Sequence, residues 1–177
     1  MLLKKRGYFF VIDAVLALAI IVIGIFLITA SYTQVPQQAP VSFLSVDLMN
    51  FLADTKIKDL NNPYGGIGGE LWNQGLITDE GNSLLQQTAI FYKTNKLDIA
   101  GKFIGNITAG IVPSQYRYEV WVDNIVLFPQ ILTDEHKKSK NNTGLLITSK
   151  QITFGVLNET TGDIFGPYKA EVFLWER

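Results

Sequence analysis

The chain reads as an α+β protein: an N-terminal hydrophobic (transmembrane) helix followed by a head of short helices and a C-terminal antiparallel β-sheet. Three observations predict this. No charged side chain occurs from Ala14 to Val46. Between residues 42 and 112 apolar residues recur at helical spacing. After Pro113 the pattern changes to a period of two, the signature of strands with two faces. Helices followed by strands, rather than alternating with them, favour segregated α+β layers over a parallel sheet.

The first element is the apolar helix, residues 8–32. About 20 apolar residues cross the hydrocarbon core of a bilayer, and a helix satisfies its own backbone groups there. Lys4, Lys5 and Arg6 precede it, and the next basic residue is Lys56. Positive charge stays on the cytoplasmic side, so the short N-terminus is expected inside and the residues after 33 outside, with the head extracellular. An ordinary secretory signal has an apolar stretch of about 7–15 residues ending in a small-x-small cleavage site. Here the apolar run is longer, and Thr29-Ala30-Ser31 matches such a site only weakly. Ala14, Ala17, Ala19 and Gly24 are small enough for close helix approach.

Asp13 interrupts this helix near its start. A carboxylate at the centre of a bilayer costs about 2.5–3.5 kcal/mol, and less near the interface. Two accounts fit it. Asp13 lies in the headgroup zone near a helix N-terminus, where the macrodipole favours an anion, or it meets a positive group on a neighbouring chain.

The stretch Lys4-Lys5-Arg6-Gly7-Tyr8-Phe9-Phe10-Val11-Ile12-Asp13, running into an apolar helix, resembles the class III signal of type IV pilin-like proteins, particularly archaeal ones. The resemblance covers about 25 residues at the N-terminus. It implies a leader, residues 1–7, that a membrane aspartyl (prepilin) peptidase removes between Gly7 and Tyr8. It implies a surface filament or pseudopilus built with other pilin subunits for adhesion, and it makes Asp13 the acid that pairs with the N-terminal amine of an adjacent subunit. Counting from Tyr8, the acid is the sixth residue; the usual bacterial pilin has glutamate at the fifth. A single-pass anchored binding domain that does not polymerise is the alternative.

Residues 33–41 form the expected linker, with prolines at 36 and 40 that break a helix and extend the residue before each. In many pilins the helix continues into the head instead. The head is then residues 42–177. Within it a helix is predicted from Ser42, as N-cap, to Leu60, with an apolar face of Phe43, Val46, Leu48, Phe51, Leu52, Ile57 and Leu60. Gly65-Gly66-Ile67-Gly68-Gly69 lacks the Gly-Lys-Ser/Thr ending of a phosphate loop and reads as a turn, packed down by Leu71, Trp72, Leu76 and Ile77. Short helices are expected over 83–92, capped by Ser83 or Asn82, and over 97–112. Tyr116–Val122, a turn at Asp123-Asn124 and Ile125–Phe128 read as a hairpin. A second strand pair spans 145–157 and 168–175, joined by a turn over 158–163. Ala170, Val172 and Leu174 alternate with Glu171, Phe173 and Trp175, so both sheet faces are expected to be partly covered. The polar run 133–143 between the hairpins is expected to be a loop.

Little in the sequence suggests catalysis. The net charge is -1, without the basic bias of a nucleic-acid binder, and cysteine is absent, which removes disulfides, thiolate metal sites and cysteine nucleophiles. The sole histidine, His136, has no spaced metal-ligand partners and is expected to be a solvated loop residue. Asp134 and Glu135 are adjacent and diverge in extended structure, which is poor geometry for a carboxylate pair. No catalytic residue, cofactor or metal site is expected. Three Asn-x-Thr sequons, at Asn106, Asn141 and Asn158, are candidate N-glycosylation sites in the external part. Asn106 falls in an expected helix and the other two in loops or turns.

Overall fold

A computed structural model describes residues 3–32, 41–158 and 161–177. The chain divides into two compact units, 1–38 and 39–177. The first unit contains α1 (Leu3–Tyr32), 30 residues long and about 45 Å in length at 1.5 Å per residue. From Phe10 to Leu27 it is long and apolar enough to cross a membrane, and none of that stretch is buried. The helix begins before Gly7, so the Gly7–Tyr8 bond lies within it. Of the expected linker, 33–40 lie outside the described residues, and Val41 opens the next helix.

In the second unit the elements run α2 (Val41–Asp54), a 3-10 turn (Ile57–Asp59), α3 (Glu70–Asn73), α4 (Leu84–Lys93), α5 (Leu97–Ile107), β1 (Tyr116–Val122), β2 (Ile125–Phe128), α6 (Asp134–Asn142), β3 (Leu146–Asn158) and β4 (Asp163–Glu176). The strands form one antiparallel sheet in the order β2–β1–β4–β3. Two hairpins are therefore joined through their β1 and β4 strands.

The helices α2, α4 and α5 pack on one face of this sheet. Tyr118, Val120 and Val122 of β1 alternate, opposite Leu174, Val172 and Ala170 of β4, and point to that side. They meet Leu48, Met49 and Leu52 of α2, Leu84, Leu85 and Phe91 of α4, and Phe103, Ile104 and Ile107 of α5. At about 25 cal/mol per Å² of apolar surface removed from water, this core is the main source of stability in a head without disulfides. Ser83 starts α4 through a capping box. Its hydroxyl accepts from the Gln86 amide, and the Gln86 side chain accepts from the Ser83 amide. Gly101 lets α5 lie close to β2, because a Cβ there would stand 2.5 Å from the Leu127 carbonyl oxygen.

Several expectations need correction. The helix predicted over 42–60 ends at Asp54, and Ser42 lies inside it rather than capping it. Its buried stripe is Ser45, Leu48, Met49 and Leu52, at i, i+3, i+4 and i+7; Phe43 and Val46 are exposed. The helix from Leu97 stops at Ile107, five residues early; Thr108 makes its last helical bond, to the Ile104 carbonyl, and Gly110 just beyond takes a positive φ of 78° that turns the chain away. β4 begins at Asp163 rather than at residue 168. The run 133–143 is not a loop. Thr133 caps α6 by accepting from the His136 amide, Asp134 and Glu135 lie in the first turn, and Lys140 lies in the last.

The first hairpin matches its prediction. Val122 pairs with Ile125, and Asp123 and Asn124 both adopt positive φ (46° and 68°), as a two-residue turn requires. The turn is also tied to β4: the Asp123 carboxylate accepts from the Lys169 amide at 2.9 Å.

Candidate functional site

The expected assembly residue, Asp13, is exposed on α1 among exposed apolar neighbours that include Phe10, Val11 and Leu16. Gly7 and Tyr8 lie in the first turns of the same helix. Of the sequon residues, Asn106 is in α5, where its side-chain amide donates to the Lys102 carbonyl at 2.9 Å. Asn141 is exposed in the last turn of α6, a helix where a loop was expected. Asn158 ends β3 and pairs with Asp163 across the hairpin. Within the head, Asn106, Asn141 and Asn158 lie on three different elements, α5, α6 and β3.

The head instead holds a polar cluster that sequence reasoning missed. It lies on the sheet face opposite the main core. Arg117, Glu119 and Trp121 alternate along β1 on this side, directly across from Trp175, Phe173 and Glu171 of β4. The polar helix α6 lies over them. His136, expected to be solvated, is only 9% exposed and stands 4.9 Å from the Trp175 ring, edge to face. Its Nε2 is 3.1 Å from Glu119 Oε1.

Glu119 is 2% exposed and is the hub. Besides His136, its carboxylate accepts from Trp121 Nε1 at 2.8 Å and from Lys140 Nζ at 2.5 Å. The Lys140 ammonium also lies 5.1 Å from the Trp121 ring centroid, 4.5 Å from Phe173 and 5.6 Å from Trp175, all within cation–π range. Ser139 accepts from Trp175 Nε1 at 3.1 Å. His136, Ser139 and Lys140 are related by i+3 and i+4, so one face of α6 supplies all three.

Ion pairs flank the hub on both sides. Glu135 binds Arg117 at 2.5 Å, and that guanidinium holds the exposed carboxyl below its usual range. Farther along the sheet, Glu171 is 4% exposed and sits between Lys150 (2.8 Å) and Lys169 (2.9 Å). The Lys150 bond, opposed by burial and helped by Lys169, lowers its pKa. On the core side, burial raises the Tyr118 pKa, while its 2.5 Å bond to the Thr108 hydroxyl pulls the other way.

Chemically this cluster is a clasp. His136, Lys140 and Trp121 all converge on the one carboxylate of Glu119, and three aromatic rings close over the ammonium. Among the described residues no group of three or more His, Cys, Asp and Glu side chains is arranged to hold a metal ion. A signal for α6 was present in the sequence: a threonine followed by two acids, with lysines toward the end, is a helix start and stop pattern. The pairing of β1 with β4 that creates the aromatic bed had no local signal.

Compared with family models, curated proteins and solved structures, the chain shows no significant match.

Proposed function

We propose that the chain is a type IV pilin-like subunit, released from its leader between Gly7 and Tyr8 by a prepilin peptidase. It then assembles with other pilin subunits through its N-terminal helix into a surface filament or pseudopilus. The head serves adhesion or surface contact rather than catalysis. The observation that carries this reading is α1: a single helix, apolar on every side from Phe10 to Leu27 except at Asp13, headed by Lys4-Lys5-Arg6-Gly7. A helix without a polar face is suited to lipid or to burial among other helices. An acid within it is costly unless it gains a partner, and the amine freed at Tyr8 of a neighbouring subunit is such a partner. Replacing Asp13 with alanine is expected to abolish filaments while leaving cleavage between Gly7 and Tyr8 intact. Normal filaments from that variant would refute the role of Asp13.

A second reading, a single-pass anchor whose external domain binds without polymerising, is favoured by the unbroken course of α1 through Gly7 to Leu3. The N-terminal residue of the protein isolated from its native membrane separates the two. A chain beginning at Tyr8 supports pilin-type processing, and one that retains Lys4-Lys5-Arg6 supports the anchor.

A further inference from the structure

The two edges of the sheet differ. At one edge β2 is four residues long and lies against α5. At the other edge β3 runs for 13 residues. Among the described residues, Leu146–Leu157 make no backbone hydrogen bond to any element other than β4. A long open edge is a template for another strand, and proteins ordinarily shorten, cover or charge it. Its distal half is broken by irregularities in register with β4, at Thr153/Gly155 and Val156/Asn158, but it carries exposed apolar side chains: Ile152, Phe154 and Val156, with Ile164 beside them on β4, are 56%, 67%, 45% and 75% exposed.

This edge is one wall of a cleft. The other wall is the segment 79–86 together with Asp54 and Lys56. Three hollows of about 260, 730 and 490 Å³ follow one another along these walls, past residues 151–154, then Phe154–Val156, then Val156 and Leu157. The Gln86 side chain reaches across and donates to the Phe154 carbonyl at 3.1 Å. A main-chain acceptor of β3 therefore faces the cleft and is already bonded by an amide N–H, the group an added strand would bring. The wall opposite β3 is acidic: Asp54, Asp79 and Glu80 line it against the single cation Lys56. None of these carboxylates is in an ion pair among the described residues.

We propose that this cleft is a docking site for an extended, basic peptide segment of a partner protein, which adds to β3 as a fifth strand. Main-chain bonds to the β3 edge would hold the segment. Its alternate apolar side chains would cover Phe154, Val156 and Ile164, and its basic side chains would face Asp79 and Glu80. A second copy is a poorer occupant, because edge-to-edge pairing would bring two acidic walls toward each other. Docking of this kind is independent of whether α1 polymerises.

The test uses the full chain in detergent micelles and a capped hexapeptide that alternates lysine and valine. A glutamate–valine counterpart and a lysine–valine peptide with a central proline serve as controls. Binding is read by anisotropy of the labelled peptide, and its location by amide hydrogen exchange. The lysine peptide is expected to slow exchange within residues 150–157 and to bind at least about tenfold more tightly than either control. Reversing the wall with Asp79→Lys and Glu80→Lys should invert the preference between the lysine and glutamate peptides. Phe154→Ser, at an exposed position, should weaken both. Three results would overturn the proposal: no binding of the lysine peptide at millimolar concentration, equal binding of the lysine and glutamate peptides, or protection outside β3. Concentration-dependent protection of β3 without peptide would overturn it too, in favour of self-pairing.

Discussion

Replacing Glu119 with glutamine tests whether the polar cluster clasps α6 to the sheet. The substitution keeps the side-chain volume and an acceptor for Trp121 Nε1, and removes the charge that Lys140 and His136 share. Breaking a buried ion pair by removing one partner costs about 3–5 kcal/mol. Lys140 is 22% exposed, so its ammonium can swing partly into water, and it keeps its three aromatic neighbours. We therefore expect a loss of about 2–3 kcal/mol, below the buried-pair range. For a head of this size each kcal/mol moves the midpoint by about 2–4 °C, so Tm should fall by about 4–12 °C. The assay is thermal and urea unfolding of the detergent-solubilised full chain by tryptophan fluorescence, since Trp121 and Trp175 both lie in the cluster. Lys140→Met alone leaves the buried Glu119 carboxylate without its ammonium, bonded only to Trp121 and His136, and should cost at least as much as Glu119→Gln. The double variant should recover part of the loss, giving a coupling above about 1 kcal/mol. A Tm for Glu119→Gln within 1 °C of the parent, or strictly additive variants, would refute the clasp.

Three further outcomes follow from the geometry of the head. The folded-state pKa of Glu171 is depressed below its unfolded value. The stability it contributes is thus fully present above the unfolded pKa, about 4.3, and is lost as pH falls through the folded pKa. Lys150→Gln should raise that pKa and flatten the decline of Tm below about pH 4.3; an unchanged acid limb would count against Lys150 as the main cause. Gly101→Ala should cost about 1–3 kcal/mol, because the Leu127 carbonyl is backbone and cannot step aside from the new Cβ. Gly144→Ala, where a Cβ meets nothing within 4 Å, should leave urea stability unchanged or slightly raised.

Local signals made much of the head legible. Ser83 or Asn82 marked the start of α4, and Asp123-Asn124 between two apolar runs marked the hairpin. Both depend on residues within a few positions of each other, so the chain carries the information without its tertiary context. The failures came where a distant contact decided. On α2, periodicity offered Phe43 and Val46 as core, but the face that meets the sheet is that of Ser45, Leu48, Met49 and Leu52. Rotating an apolar helix by one residue changes its buried stripe at little local cost, and only its neighbours choose the stripe. The 133–143 run was read by composition as a loop, although its cap and charge order are those of a helix. So polar a segment has no apolar face to announce where it packs, and it is held through lysine, histidine and serine instead.

The sequence by itself determined the apolar N-terminal helix with its lone acid, the placing of α2, α4 and α5 before the strands, and the turn of the first hairpin. Each follows from composition or short-range backbone chemistry. Only the tertiary structure decided that Glu119, His136 and Lys140 meet, that two tryptophans and a phenylalanine surround the lysine, and that β3 is left as an open edge beside an acidic wall. Those outcomes depend on β1 pairing with β4 across about 50 intervening residues. Hydrogen bonding between strands is the same for any sequence, so the choice of partner rests on how whole faces pack.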